Sequence, residues 1–264
     1  MINKQKLLNT VQNKEDKILF SKIIDQLNFC IKNYENTFTD FLPILKYLEI
    51  NYILSTIKIE QNIKIFGGFE EAERVIIGFF PEYIEPEEKD FPISILEVTY
   101  DEKYSRELTH RDFLGSIIGL GIDRGKIGDI IIENNKAICF INNSIIDYIN
   151  INLEKVGKTK VKTKIININN YDIPKPKIEE KNIIISSLRL DALLSGAFNI
   201  SRGKISDYIK GEKAFVNFVI ETNGAKNVKL NDILTLRGLG RIKVLDIVGK
   251  TKKDRIVLNI GKYI

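Results

Sequence analysis

Histidine occurs once and cysteine twice in the 264 residues, and that scarcity removes much chemistry at the outset. No Cys or His pair has the spacing of metal ligands, which argues against a zinc site. Cys30 and Cys139 lie far apart in apolar surroundings. They read as two buried thiols of a reducing compartment, not as a disulfide framework. Long apolar runs are missing too, because charges interrupt every stretch that approaches the ~20 residues of a membrane span. Met1–Lys6 leads into an amphipathic stretch in place of a signal peptide's apolar core. Gly119-x-Gly121 follows a helical pattern, so it opens no dinucleotide fold. Gly249-Lys250-Thr251 has Val244 where a phosphate loop needs glycine. The chain is expected to act in the cytoplasm without a cofactor or metal.

What is present is enough to build cores. Apolar residues make up 44% and charged residues 28%, the balance of an ordinary globular chain. The length suggests two compact units or three small ones. Charge is unevenly spread. Residues 186–264 hold 15 Lys and Arg against 7 Asp and Glu, a surplus of eight, whereas the rest holds 25 against 28, a deficit of three. A basic end on a near-neutral body is the electrostatic footprint of binding to nucleic acid or an anionic surface.

The periodicity divides the chain. Residues 1–81 read as a mainly helical subdomain with a short hairpin: Ile18, Leu19, Ile23, Leu27, Cys30 and Ile31 keep helical spacing, and Pro43 stands near a helix start. Ile63–Phe66 and Val75–Phe80 read as strands around Gly67-Gly68. Residues 82–170 run strand, helix capped by Thr109, hairpin turning at Asn134-Asn135-Lys136, helix from Ser144 to Leu153, and a last strand Lys162–Asn169. That βαββαβ order is the ferredoxin-like one, shared with RNA-recognition motifs. The strand Lys136–Ile141 lacks the stacking aromatics of those motifs, so RNA stacking on the sheet is not expected. Residues 171–185, with Pro174-Lys175-Pro176, read as an extended linker.

After Ile183–Ile185, which can form a short strand, residues 186–264 read as a module of two helices and several strands, Ala214–Val219 among them. Ser186 or Ser187 is expected to cap a helix Leu188–Ser195 ended by Gly196. Ser201 should cap a second, Arg202–Lys210. Arg202 and Lys204 place two cations in that helix's first turn, where the macrodipole disfavours them. A phosphate there would meet the positive helix end and both side chains. Arg237-Gly238-Leu239-Gly240-Arg241 adds two guanidinium groups across a glycine-flexed turn.

Arg189-Leu190-Asp191-x-Leu193-Leu194, Ser201-Arg202-x-Lys204, Ile209-Lys210, Val216-Asn217 and Arg237-Gly238-x-Gly240-Arg241 appear in order. Together they resemble the S4-type RNA-binding domain. One departure is Glu212, which stands where that family usually has glycine. Upstream, Phe69–Arg74 with Ile77–Pro81, and Leu108–Gly115 followed by Gly119–Ile130, resemble signatures of the bacterial YlmH family, whose members end in an S4 domain. The likeness extends over almost the whole chain and is weakest over residues 1–60. It implies an α+β protein: a helical N-terminal segment, a central ferredoxin-like domain and a C-terminal S4 (αL) domain. It further implies a non-enzymatic translation factor on the large ribosomal subunit, near peptidyl-tRNA and 23S rRNA, in ribosome-associated quality control. Arg189, Ser201, Arg202, Lys204, Lys210, Asn217, Arg237 and Arg241 are the expected RNA contacts. His110, Arg111, Arg124 and Lys126 form a second candidate set.

Competing readings are weaker. His110-Arg111-Asp112 lacks the other motifs of a kinase, and His110 reads first as a helix-capping or packing residue. Arg189-Leu190-Asp191 matches a pseudouridine-synthase triplet, but it opens an apolar-striped helix and reads as an ion pair or RNA contact. The rival function is an RNA-modifying enzyme, a synthase or methyltransferase, that uses the C-terminal module to deliver substrate.

Overall fold

The computed structural model describes residues 2, 4–9, 11, 13–101, 103, 106–172 and 178–263. The chain separates into two compact units, Met1–Pro174 and Lys175–Ile264, and is of mixed α and β type.

Unit 1 begins with helices α1 (Lys4–Leu8) and α2 (Lys14–Asn33), then short strands β1 (Thr37–Phe38) and β2 (Leu42–Pro43), helix α3 (Ile44–Leu54), and strands β3 (Asn62–Phe66) and β4 (Arg74–Phe80). Strands β1, β2 and β3 all pair antiparallel with β4. Every residue from Val75 to Phe80 is buried, because β4 is packed on both faces. Ile77 and Phe79 meet Phe20, Ile23, Ile24 and Leu27 of α2. Ile76 and Phe80 point the other way, into an aromatic-rich cluster, as period-2 alternation requires.

That cluster joins the first sheet to a second. Strand β5 (Ile93–Thr99), helix α4 (His110–Gly119), strands β6 (Ile127–Glu133) and β7 (Lys136–Asn142), helix α5 (Ile146–Asn152), the short β8 (Lys155–Val156) and β9 (Thr159–Lys160), and β10 (Lys162–Ile166) complete unit 1. The second sheet is antiparallel in the order β10-β5-β7-β6. One face, with Leu96, Val98, Ala137, Cys139 and Ile141, packs against Phe113 and Ile117 of α4 and Ile146 and Ile149 of α5. The other carries Ile93, Ile95, Ile138 and Phe140, which share a core with Phe41, Ile76, Phe80 and Phe91. The expected boundary at residues 81 and 82 therefore falls inside one unit, since neither sheet could bury its inner face alone. Gly68 shows how close the two approach: it has φ +106°, and a Cβ there would lie 2.2 Å from the Phe140 ring.

Thr109 caps α4 as its sequence suggests, with its backbone N–H and hydroxyl both donating to Asp112 at 2.8 Å. The second helix is shorter than expected: α5 starts at Ile146, because the Ser144 amide and hydroxyl both donate to Asn142 and form a turn instead of a cap.

Unit 2 contains β11 (Ile178–Ile185), α6 (Leu190–Phe198), α7 (Arg202–Lys210), β12 (Ala214–Val216), β13 (Val219–Ile220), β14 (Ile233–Leu236), β15 (Gly240–Lys250) and β16 (Ile256–Tyr263). They form an antiparallel sheet in the order β11-β16-β15-β14-β12-β13. Leu190, Leu193 and Leu194 of α6 and Ile205 and Ile209 of α7 pack on Leu234, Leu236, Ile242, Val244, Leu258 and Ile260. Full burial of each such side chain contributes about 1.5–3 kcal/mol.

Three expectations are corrected here. The linker assigned to 171–185 ends in strand β11, eight residues paired with β16; Ile183 and Ile185 are buried and Ile184 is 58% exposed, the alternation of a half-covered strand. Residues 173–177 of that linker lie outside the described residues. Helix α6 starts at Leu190 with Arg189 at its N-cap, and it runs through Gly196 to a left-handed Asn199, φ 55°. Gly196 is there for close packing, since a Cβ would come within 3.0 Å of Ile185. The strand expected at 214–219 is a tight hairpin, with Asn217 and Phe218 at φ 49° and 67° between β12 and β13.

Candidate nucleic-acid interface

The cations of unit 2 are held by identifiable partners. Ser201 caps α7, its hydroxyl accepting from the Lys204 amide at 3.4 Å. Arg202, in the first turn, donates to the Ser186 hydroxyl. Arg189 forks onto Asp191, Nε to Oδ1 and Nη2 to Oδ2 both at 3.1 Å. Burial raises the Asp191 carboxyl, but the Arg189 fork, the Ala192 amide and the charges of Arg189 and Arg202 outweigh it and hold it below its ordinary value. Arg189, Asp191, Arg202 and Ser186 thus form one cluster with a net positive charge at the start of both helices. Lys204 and Lys210 stand exposed on α7.

A second group gathers at the Gly238–Gly240 turn. The Arg237 guanidinium lies 5.3 Å from the Phe215 ring, and that of Arg241 lies 5.0 Å from Phe218 and 5.5 Å from Tyr263. Lys213 sits 5.5 Å from Tyr208, and its carbonyl accepts from the Arg237 amide at 2.8 Å. Contact with aromatic faces helps to fix a guanidinium, and Arg241 also donates from Nε to the Thr235 hydroxyl at 3.3 Å. Glu212 has φ 56°, which explains why a glycine suits that slot. Asn217 differs from the other candidates. Its amide donates to Asp232 at 2.8 Å and accepts from the Ile233 amide at 2.8 Å, so its side chain locks the hairpin.

The second candidate set lies in unit 1. Arg124 donates to the carbonyls of Ile127 and Gly128, and Lys126 pairs with Asp40 at 2.6 Å. Both are committed to the fold. His110 and Arg111 are exposed at the start of α4; desolvation of the imidazole by the surrounding protein first, and then the charge of Arg124, hold His110 below its ordinary value, with Glu73 opposing.

Sequence reading overlooked the group at the centre of this region. Arg74 donates to the carbonyl of Ile127 at 3.0 Å and that of Phe41 at 2.9 Å. The Glu73 amide donates to Asp129 at 2.6 Å. Burial pushes Asp129 up to about 6 against the pull of those amides and Arg74, and burial with Arg124 nearby pulls Arg74 down to about 10. Contacts spanning 56 and 53 residues therefore bring together two stretches, Phe69–Arg74 and Gly119–Ile130. Only their joint likeness to one family's signatures could have hinted at it.

Comparison with known proteins gives that likeness a firm footing. "Ribosome-associated protein quality control protein P2" of Bacillus subtilis (strain 168) is 30% identical over 242 residues, covering 92% of this chain and 93% of that protein. The chain belongs to the YlmH family. A family model described as "Putative RNA-binding domain in YlmH" matches residues 86–170. A solved structure, "Cell division protein ylmH from Streptococcus pneumoniae", is 26% identical with a TM-score of 0.50; the match covers 61% of this chain and 98% of that one.

The family match falls on the second sheet and its helices, not on the basic C-terminal unit. RNA-recognition motifs stack bases on the open sheet face. In this YlmH protein that face is occupied, with Ile95, Ile138 and Phe140 fully buried against β4 and its neighbours. Any RNA contact within 86–170 must therefore lie elsewhere than on that sheet face.

Proposed function

We propose that this protein is a non-enzymatic RNA-binding factor of ribosome-associated quality control. It acts in the cytoplasm on the large ribosomal subunit, beside peptidyl-tRNA and 23S rRNA. The observation that carries the reading is the near full-length likeness to a relative named for that process, joined to a C-terminal unit with a surplus of eight positive charges.

In this reading unit 2 is an S4-type module that grips a folded RNA surface through its phosphates. Arg202 and Lys204 anchor at the start of α7, and Arg189, Lys210, Arg237 and Arg241 act beside them. Ser201 positions the helix start. Asn217 serves the fold, and Lys213 joins the contacts in its place. Contacts of this kind give weak base preference and strong shape preference. The central βαββαβ sheet, in the order β10-β5-β7-β6, supports a ferredoxin-like assignment for residues 93–166, with its usual RNA face given over to the N-terminal sheet.

The test is co-sedimentation with large subunits across a salt series, wild type beside an Arg202→Glu/Lys204→Glu variant shown to be folded. Salt-sensitive binding lost in the variant is the expected result. Absence of binding, or binding indifferent to the charge reversal, overturns the reading.

A further inference from the structure

Between Glu154 and Ile165 the chain reads Lys155-Val-Gly-Lys158-Thr-Lys160-Val-Lys162-Thr-Lys164. From Lys158 onward every second residue is a lysine. The structure turns that spacing into one face. Val161 and Ile165 pack on the helix-side core, and the Thr163 hydroxyl donates to the Asn150 carbonyl of α5 at 2.9 Å. The alternate residues Lys158, Lys160, Lys162 and Lys164 are left exposed. Lys158 lies in the β8–β9 turn, and on β10 the strand rise of ~3.3 Å per residue sets Lys162 and Lys164 roughly 6.6 Å apart.

Lys155 joins them through the small hairpin of β8 and β9. Its turn residue Gly157 has φ 60°, its Val156 is fully buried, and the Gly157 amide donates to Ser116 of α4 at 3.2 Å. The hairpin is thereby fixed on the body. In it Lys155 stands directly opposite Lys160. Like charges in that relation repel and destabilise the pair. Among the described residues, none of the five ammonium groups has a carboxylate partner. Glu154 stands beside Lys155 in sequence, and Glu97, the cross-strand neighbour of Lys164, already lies 3.8 Å from Lys136.

Edge strands often carry lysine to discourage pairing with other chains. That accounts for Lys162 and Lys164 on β10, the outer strand of its sheet. It gives no reason for setting Lys155 directly opposite Lys160 in the two-stranded β8–β9 sheet, where the two like charges repel. A repulsive arrangement on a rigid support is one that a polyanion relieves.

We propose that Lys155, Lys158, Lys160, Lys162 and Lys164 form a second RNA-backbone site, which binds phosphodiesters along the β8–β9 hairpin and the edge of β10. It rests on the RNA-binding reading above and adds a contact surface in unit 1, separate in sequence from the C-terminal cations. It also gives residues 86–170 a way to bind RNA without an open sheet face.

The experiment uses the full chain, with a fluorescent A-form RNA duplex and with large ribosomal subunits as probes, over a potassium chloride series. A Lys155→Gln/Lys160→Gln/Lys162→Gln variant is compared with a Lys17→Gln/Lys22→Gln/Lys32→Gln control, which removes the same charge from exposed positions of α2. The proposal expects the hairpin variant to bind the duplex about tenfold more weakly and to lose roughly 2–3 from the slope of log K against log salt. The control should move little, and Lys→Arg at the hairpin positions should restore binding. Equal behaviour of variant and control overturns the proposal. Hairpin-dependent duplex binding without large-subunit binding sinks the ribosomal function and keeps this site. Large-subunit binding that ignores the hairpin does the reverse. If wild type binds neither probe, both fall. The hairpin variant should melt no lower than wild type, because it removes a repulsion.

Discussion

Arg189 grips Asp191 through two parallel bonds of 3.1 Å, and the charge of Arg202 acts on the same carboxylate. One acid thereby orients Arg189 and interacts through charge with Arg202, two of the cations proposed to meet RNA. It sits at the start of a helix whose leucines build the core of unit 2, so binding geometry and stability share a residue.

Replacing Asp191 with asparagine should cost about 1 kcal/mol near neutral pH. The sign follows from the depressed carboxyl. Its stabilisation is present above the unfolded value of ~3.9 and is lost as pH falls through the lower folded value. Urea unfolding of wild type and Asp191→Asn should therefore differ at pH 7 and converge toward pH 2. A constant gap across that range would show that the ionised fork does not stabilise unit 2.

Asp129 carries the opposite dependence. Burial raises its carboxyl to about 6, so the folded state holds a proton that the unfolded state releases. Between about pH 4 and pH 6 wild type should lose stability relative to Asp129→Asn, by an amount on the order of 2 kcal/mol. Denaturation midpoints at pH 4, 5, 6 and 7 measure it. A difference that grows in favour of wild type as pH rises would mean that Arg74 and the Glu73 amide dominate over burial.

Phe80 tests the union of the two sheets in unit 1. It is fully buried, in the cluster that includes Ile95, Ile138 and Phe140. Phe80→Ala should cost about 3–5 kcal/mol. Amide exchange should quicken together in β4 and in β5 and β7. Quickening confined to β3 and β4 would mean that the sheets unfold separately.

Asn217 separates a folding role from a binding one. Its side chain makes two 2.8 Å bonds that tie the β12–β13 turn to Asp232 and Ile233 at the start of β14, and its φ is 49°. Asn217→Ala should lose about 1–3 kcal/mol of stability, with RNA affinity at 10 °C within about twofold of wild type when the variant is folded. Filter binding beside thermal melting gives both readouts. Unchanged stability with lost affinity would return Asn217 to the RNA contacts.

Much of this was legible in one dimension because its causes are local. The caps at Thr109 and Ser201 involve atoms three residues apart, and hairpins such as β6–β7 are set by a turn and alternating residues. The charge asymmetry is a matter of counting. The alternate lysines at 158–164 are equally visible in the sequence, although only the part from Lys162 reads as a strand there. Local pattern also misled. Ile183–Ile185 looked like a short strand after a linker, although pairing with β16 extends it back to Ile178. Gly196 looked like a helix end, although it is the point where α6 touches β11.

The sequence by itself determined the α+β type, the main helices and strands, the basic C-terminal unit and the family likeness. These depend on side-chain period, capping and charge, which act over a few residues or over simple sums. Only the tertiary structure decided that β4 is buried on both faces, that the face of the second sheet turned away from α4 and α5 is closed by Ile76 and Phe80, and that Arg74 reaches Ile127. Those are contacts between segments tens of residues apart. Their positions are set by how whole faces pack, which no short window of sequence contains.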